Sequence, residues 1–132
     1  MLINFHPKAG TVLICDFTGM IPPEICKTRP VVVISSPNTR RVGLATVVPL
    51  STTRPHYIRH YHILLRYPPF PSARAESWAK CDLVMSVSYS RLARLQSNAH
   101  HLVIASVTAH DLKAIRLAAA RSFGVDVHKQ WP

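Results

Sequence analysis

Apolar positions along this chain fall mostly in short β-branched runs rather than in helical stripes. Val12 to Phe17, Arg29 to Ser35 and Leu44 to Leu50 are such runs, each bounded by Gly, Pro, Asn or Ser as strands of a compact sheet should be. Between the first two, Thr18 to Thr28 carries Gly19, Pro22 and Pro23, which oppose helix, so this segment reads as a loop able to approach a ligand. Pro37 to Arg41 reads as the next turn. From Tyr57 to Leu65 the chain alternates, with Ile58, His60, His62 and Leu64 on one side and Tyr57, Arg59, Tyr61, Ile63 and Leu65 on the other, which predicts a fourth strand. Tyr67 to Ser72 holds three prolines and is predicted irregular. Lys80 to Tyr89 predicts another strand, and Leu102 to Val107 a short one.

Only one segment carries a helical period. Thr108 predicts an N-cap for a helix over Ala109 to Phe123, with Asp111 near the positive end of its dipole. Leu112, Ile115, Ala119 and Phe123 recur on one face, and Gly124 stands just past the end, where glycine favours termination. Several strands and one late helix predict an α+β fold, a β-barrel of the SH3-like type. At 132 residues the chain is expected to be a single domain spanning 1–132 with a real core.

Charge adds a partner to this picture. Lys and Arg number 16 against 6 Asp and Glu, a formal charge of +10, which favours a polyanion such as nucleic acid or an acidic protein segment. Eleven of the cations are Arg, whose planar fork grips phosphate and carboxylate bidentately, and this tilts the expectation towards phosphate. Cys15, Cys26 and Cys81 are odd in number and lack paired spacing, against both a disulfide scaffold and a cysteine zinc site. No run has the length of a signal peptide's apolar core or of a membrane helix, so a cytoplasmic protein with no membrane partner is expected.

Three segments carry candidate chemistry. Glu24-Ile25-Cys26-Lys27-Thr28-Arg29-Pro30 sets a carboxylate and two cations against the apolar strand Val31 to Ser35; Val47 to Thr53 is a strand ending in hydroxyls; Trp78 to Val84 places Asp82 at the start of an apolar run. Taken in this order they resemble the PemK/MazF family of toxin endoribonucleases. The resemblance runs from Gly10 to about Gly124, with Gly10 to Phe17 matching the family's opening strand. Leu83 departs from it, standing where many members carry Gln, and Pro55 to Ser77 diverges freely. The resemblance implies an SH3-like antiparallel β-barrel with a C-terminal α-helix, a homodimer, and neutralisation by an acidic antitoxin. It also implies Arg29 and Ser51 as the catalytic pair, with acidic residues at the positions of Glu24 and Asp82 serving catalysis or RNA contact.

The residues themselves suit that chemistry. RNA can be cut without metal when its 2′-hydroxyl attacks the neighbouring phosphorus, given a base, an acid for the departing 5′-oxygen, and cations for the phosphorane. Arg29 is the candidate stabiliser and proton donor, Ser51 or its neighbour Thr52 the hydroxyl on a phosphate oxygen, Asp82 and Glu24 the candidate bases, and Lys27 a second phosphate contact. The basic and aromatic mixture of Arg54, Tyr57, Arg59, Tyr61, Arg66, Tyr67, Phe70 and Arg74 could stack bases and follow a single-stranded backbone. His56, His60 and His62 have spacing a zinc ion could use, but no neighbouring Cys or carboxylate completes a set, so neither metal nor cofactor is expected.

Plainer readings stand beside these. Arg29 could be a salt-bridge partner of Glu24, Ser51 and Thr52 turn residues, and Asp82 the holder of a structural hydrogen bond. Arg91 to Leu95 reads as packing. Two other functions remain open: a non-enzymatic toxin of the same fold, like the gyrase poisons, acting through an aromatic such as Trp131, and a family member that binds RNA without cutting it.

Overall fold

A computed structural model describes residues 3–36, 38, 41–69, 76–97 and 99–126. Most of the expected turn over Pro37 to Arg41 lies outside the described residues, as do Phe70, Arg74 and Trp131. The strands are β1 Thr11–Cys15, β2 Arg29–Val33, β3 Leu44–Ser51, β4 His62–Leu64, β5 Trp78–Lys80, β6 Met85–Ser88, β7 Leu92–Ala93, β8 Leu95–Gln96, β9 Leu102–Val103 and β10 Ala105–Ser106. A single 3₁₀ turn spans Tyr89–Arg91, and the helix α1 spans Ala109–Ser122.

The main sheet is antiparallel throughout and runs β10-β1-β2-β3-β5-β4, with β8 and β9 forming a separate ribbon. Its longest strand, β3, pairs with β2 along one edge and is shared along the other by β6, opposite Leu44–Val47, and β5, opposite Leu50 and Ser51. Strand alternation splits the apolar residues into two layers. Val12, Val32, Val48, Leu50 and Ala79 face α1 through Ile115, Ala118 and Ala119. Leu13, Cys15, Val31, Val33 and Val47 face the other way, onto Phe17, Val87 and Leu92.

The expected closed barrel is corrected to an open sheet, because β4 and β10 at its two ends do not pair among the described residues. Here β4 has only three residues, since His62–Leu64 alone of the expected Tyr57 to Leu65 strand forms a ladder. The helix packs against β4 and covers that layer instead.

The helix begins where its sequence predicts and ends one residue earlier. Thr108 Oγ1 accepts the Asp111 N–H at 3.0 Å. At the other end Gly124, with φ +85°, donates to Arg121 O and Val125 donates to Ala120 O, the paired bonds of a glycine-terminated helix. Phe123 is the misread position: it lies past the last helical residue and is 68% exposed, while Ala118 takes the buried place. Asp111 does more than sit in the dipole, for its buried carboxylate accepts the Arg66 N–H at 2.9 Å and ties down the chain after β4. Arg116 donates twice to Ile34 O, at 3.1 and 2.9 Å, and fixes α1 to the end of β2.

Candidate active site

One wall of the site is the loop between β1 and β2. At its entry the Asp16 carboxylate accepts the Thr18 hydroxyl at 2.5 Å and the Thr18 N–H at 2.9 Å. These bonds, helped by the Arg91 charge, hold the Asp16 carboxyl below its ordinary range. Arg91 Nη1 donates to Asp16 O and Thr18 O, both at 2.9 Å, while Asp16 N–H returns a bond to Arg91 O at 2.8 Å. Arg91, read from sequence as packing, is therefore also the clasp of this loop. Further on, the single Cys26 thiol proton is shared between Met20 O and Glu24 O, each 3.2 Å from Sγ, and Glu24 N–H donates to Ile21 O at 2.8 Å. The loop is thereby folded on itself and presents Pro22 to Lys27 as one side of a groove.

The other wall is the sheet. In β2 and β3, Val31 pairs with Pro49 and Val33 with Val47. Two steps further along the same register Arg29 falls opposite Ser51, and both side chains lie on the face of Val31 and Pro49, opposite the helix. Trp78 pairs with Ser51 and Ala79 with Leu50, so β5 continues that face through Lys80. Glu24, Lys27, Arg29, Ser51 and Lys80 line a cavity of about 420 Å³. Among the described residues no ion pair engages Arg29 or Glu24, so both charges stay available to a ligand. Ser51 Oγ accepts the Thr53 N–H at 3.1 Å, which leaves its own proton free to donate into the cavity.

A second basin of about 550 Å³ adjoins the first, and Lys80 and Leu83 line both. Arg54, Arg59, Tyr57, Tyr61 and Asp82 line it too. Its aromatic groups already have ring or cation contacts: the Arg54 guanidinium lies 5.9 Å from the Trp78 ring centre, Arg59 lies 5.6 Å from that of Tyr57, and Tyr61 meets the neighbouring rings of His60 and His62 edge-on at 5.2 and 4.6 Å. The His62 Nδ1 accepts the Arg59 N–H at 2.9 Å, and no group of three metal-binding side chains occurs among the described residues.

The model of the PemK-like, MazF-like toxins of type II toxin-antitoxin systems matches residues 8–123. The chain belongs to this family. An uncharacterized Escherichia coli K12 protein, YifN, is 34% identical, the match covering 74% of this chain and 78% of that protein. An uncharacterized Haemophilus influenzae protein is 36% identical over 70% of this chain and 73% of its own. In fold, the chain is similar to MazF from Deinococcus radiodurans, with a TM-score of 0.70 at 19% identity over 92% of this chain and all of that one. It is similar also to a mycobacterial endoribonuclease solved with its cognate antitoxin, with a TM-score of 0.63 at 19% identity over 96% of this chain and 100% of that one. No helix among the described residues is long and apolar enough to cross a membrane.

Of the residues singled out in this family member's sequence, Glu24, Lys27, Arg29 and Ser51 share the first basin, while Asp82, Arg54, Arg59 and Tyr61 share the second. Thr52 is exposed and lies outside both linings, as do Arg66 and Tyr67. The expected strand from Lys80 is interrupted, so Asp82 sits on an exposed turn between β5 and β6 rather than in an apolar strand. An exposed carboxylate needs no buried partner, which removes the argument that its strand position demanded one. Beside it, burial and the Asp82 charge push the Cys81 thiol up to about 12. Sequence reasoning missed Lys80. Its signal was a cation spaced two residues from Trp78 in an apolar run, where alternation puts both on the face opposite Ala79.

Proposed function

We propose that this toxin-family chain is a metal-independent endoribonuclease that cuts single-stranded RNA, with sequence selectivity, by 2′-hydroxyl attack. The observation that carries the reading is the shared cavity of Arg29, Ser51 and Glu24, in which the guanidinium has no protein counter-ion among the described residues. In the reaction the 2′-oxygen bonds to phosphorus as its proton passes to Glu24, the carboxylate that shares the cavity with Arg29 and Ser51. The Arg29 guanidinium holds the charge that gathers on the phosphorane oxygens, and the Ser51 hydroxyl donates to one of them. The bond from phosphorus to the 5′-oxygen then breaks; that oxygen takes a proton from water in the open groove, Glu24 releases the 2′-proton to solvent, and a 2′,3′-cyclic phosphate remains. Lys27 adds a phosphate contact, and Arg54, Arg59, Tyr61 and Asp82 hold the neighbouring nucleotides. Thr52, outside both basins, is left as a contact to RNA beyond them.

The same cationic groove suits an acidic antitoxin segment, which would compete with RNA by placing carboxylates at Lys27 and Arg29. Proteins of similar fold solved in complexes, a mycobacterial endoribonuclease with its cognate antitoxin and MazE-MazF from Deinococcus radiodurans, support that partner. A homodimer acting in the cytoplasm, each subunit one domain, completes the proposal.

The test is incubation of the pure protein and of Arg29→Ala with mixed-sequence RNA in EDTA, with fragment ends read by mass spectrometry. Cyclic-phosphate ends from the wild type alone are expected. Intact RNA at high concentrations of folded wild type, or full activity in folded Arg29→Ala, overturns the reading.

A further inference from the structure

Lys80 is the residue on which the two basins meet. It ends β5, an inner strand paired with β3 on one side through Trp78 and Ala79 and with β4 on the other, where Lys80 itself pairs with His62. Its neighbour Ala79 is fully buried on the helix side, and Lys80 therefore faces the groove, half-buried. Among the described residues its ammonium has no hydrogen-bond or ion-pair partner. Ser51 pairs directly with Trp78, which places Lys80 on the diagonal from Ser51, about 7 Å away across the ladder. That is of the order of the spacing between successive phosphates of an extended single strand.

Resting on the endoribonuclease reading, we infer that Lys80 grips the phosphate adjacent to the scissile one, making the two basins successive subsites of one RNA track. The scissile phosphate sits between Arg29 and Ser51, the strand crosses Lys80, and the next bases reach the Tyr57 and Tyr61 rings of the second basin. A cation without a counter-ion, fixed to a sheet rather than a loop, suits a backbone contact that is the same for every sequence. It contributes equally to bound substrate and transition state, so its removal weakens binding without slowing the chemical step.

The experiment compares wild type, Lys80→Met and Lys80→Arg on an oligoribonucleotide centred on the bond the wild type cuts. The same oligomer is also made with a neutral methylphosphonate at one or the other phosphate flanking that bond. Lys80→Met is expected to raise KM roughly tenfold with kcat little changed, to flatten the dependence of log affinity on log salt by about 0.7, and to keep the wild-type melting point. Lys80→Arg should restore most of the loss. At one flanking position the methylphosphonate should cost the wild type the same factor and cost Lys80→Met nothing more, the signature of a shared contact. Losses that multiply at both positions, or a Lys80→Met enzyme equal to wild type, overturn the inference while cutting itself stands. A folded wild type that cuts no RNA overturns the underlying reading and this inference with it.

Discussion

The clasp at Arg91 offers a way to move the loop that carries Glu24 and Lys27 without substituting a groove residue. Arg91→Ala removes two hydrogen bonds, to Asp16 O and Thr18 O, each 2.9 Å long, from the entry of the segment that carries Glu24 and Lys27. Each such bond contributes roughly 0.5–1.5 kcal/mol net, and solvent access keeps the pair towards the lower part of the range, so the loss is about 1–2 kcal/mol. The backbone bond from Asp16 N–H to Arg91 O and the Thr18 bonds to Asp16 survive, so the loop loosens rather than detaches. If that energy holds the loop in its groove-lining position, the competent population falls and kcat/KM drops by up to about 5- to 30-fold. The melting point should fall by only a few degrees. Arg116→Ala is the matched control, since it also removes two bonds, to Ile34 O, but anchors the helix on the other face. Steady-state cleavage of a labelled oligoribonucleotide, run beside calorimetry on all three proteins, decides. A full rate in Arg91→Ala despite its lower melting point, or an equal rate loss in Arg116→Ala, would refute the reasoning.

Ser51→Ala should lower kcat by about 10- to 100-fold while RNA affinity measured by anisotropy stays near wild type, because one donor to the phosphorane is lost and the cations remain; an unchanged rate would remove Ser51 from the chemistry. Burial pushes the Cys15 thiol up to about 11 and that of Cys81 to about 12, whereas Cys26 is half-buried in the groove. Iodoacetamide at pH 8 should therefore alkylate Cys26 alone until denaturant is added; labelling of Cys15 or Cys81 in the native protein, read by peptide mass mapping, would contradict that burial.

What could be read from sequence divides along physical lines. The runs around β1, β2 and β3 are long, β-branched and doubly buried, so their pattern survives into the fold with boundaries shifted by a residue or two. The helix was equally legible, because Thr108 and Gly124 mark its ends by local chemistry alone. Tyr57 to Tyr61 alternates like a strand yet lies in a loop. There the His62 Nδ1 takes the Arg59 N–H, and edge-on ring contacts bind the segment to itself instead of to a ladder. Asp82 misled for a similar reason, since two adjacent strands separated by a short turn look like one long strand when the turn residues Cys81 and Leu83 are apolar. Lys80 escaped notice because its meaning depends on register with β3, and register belongs to the pairing of distant segments.

That dependence on register also explains how the core specifies the site. Leu50 is buried against the helix layer and Ser51, the next residue, opens into the groove; Ala79 and Lys80 repeat the arrangement one strand over. A slip of β3 by a single residue would turn the Ser51 side chain towards the helix layer and the Leu50 side chain away from it. Such a slip would expose one large apolar side chain and bury an uncompensated hydroxyl, a cost of several kcal/mol. The valines and leucines that stabilise the sheet therefore also hold Arg29, Ser51 and Lys80 in line across three neighbouring strands. With those three fixed by the core, the clasped loop is the part of the groove left to adjust, and it carries Glu24 and Lys27 against a rigid row of charge.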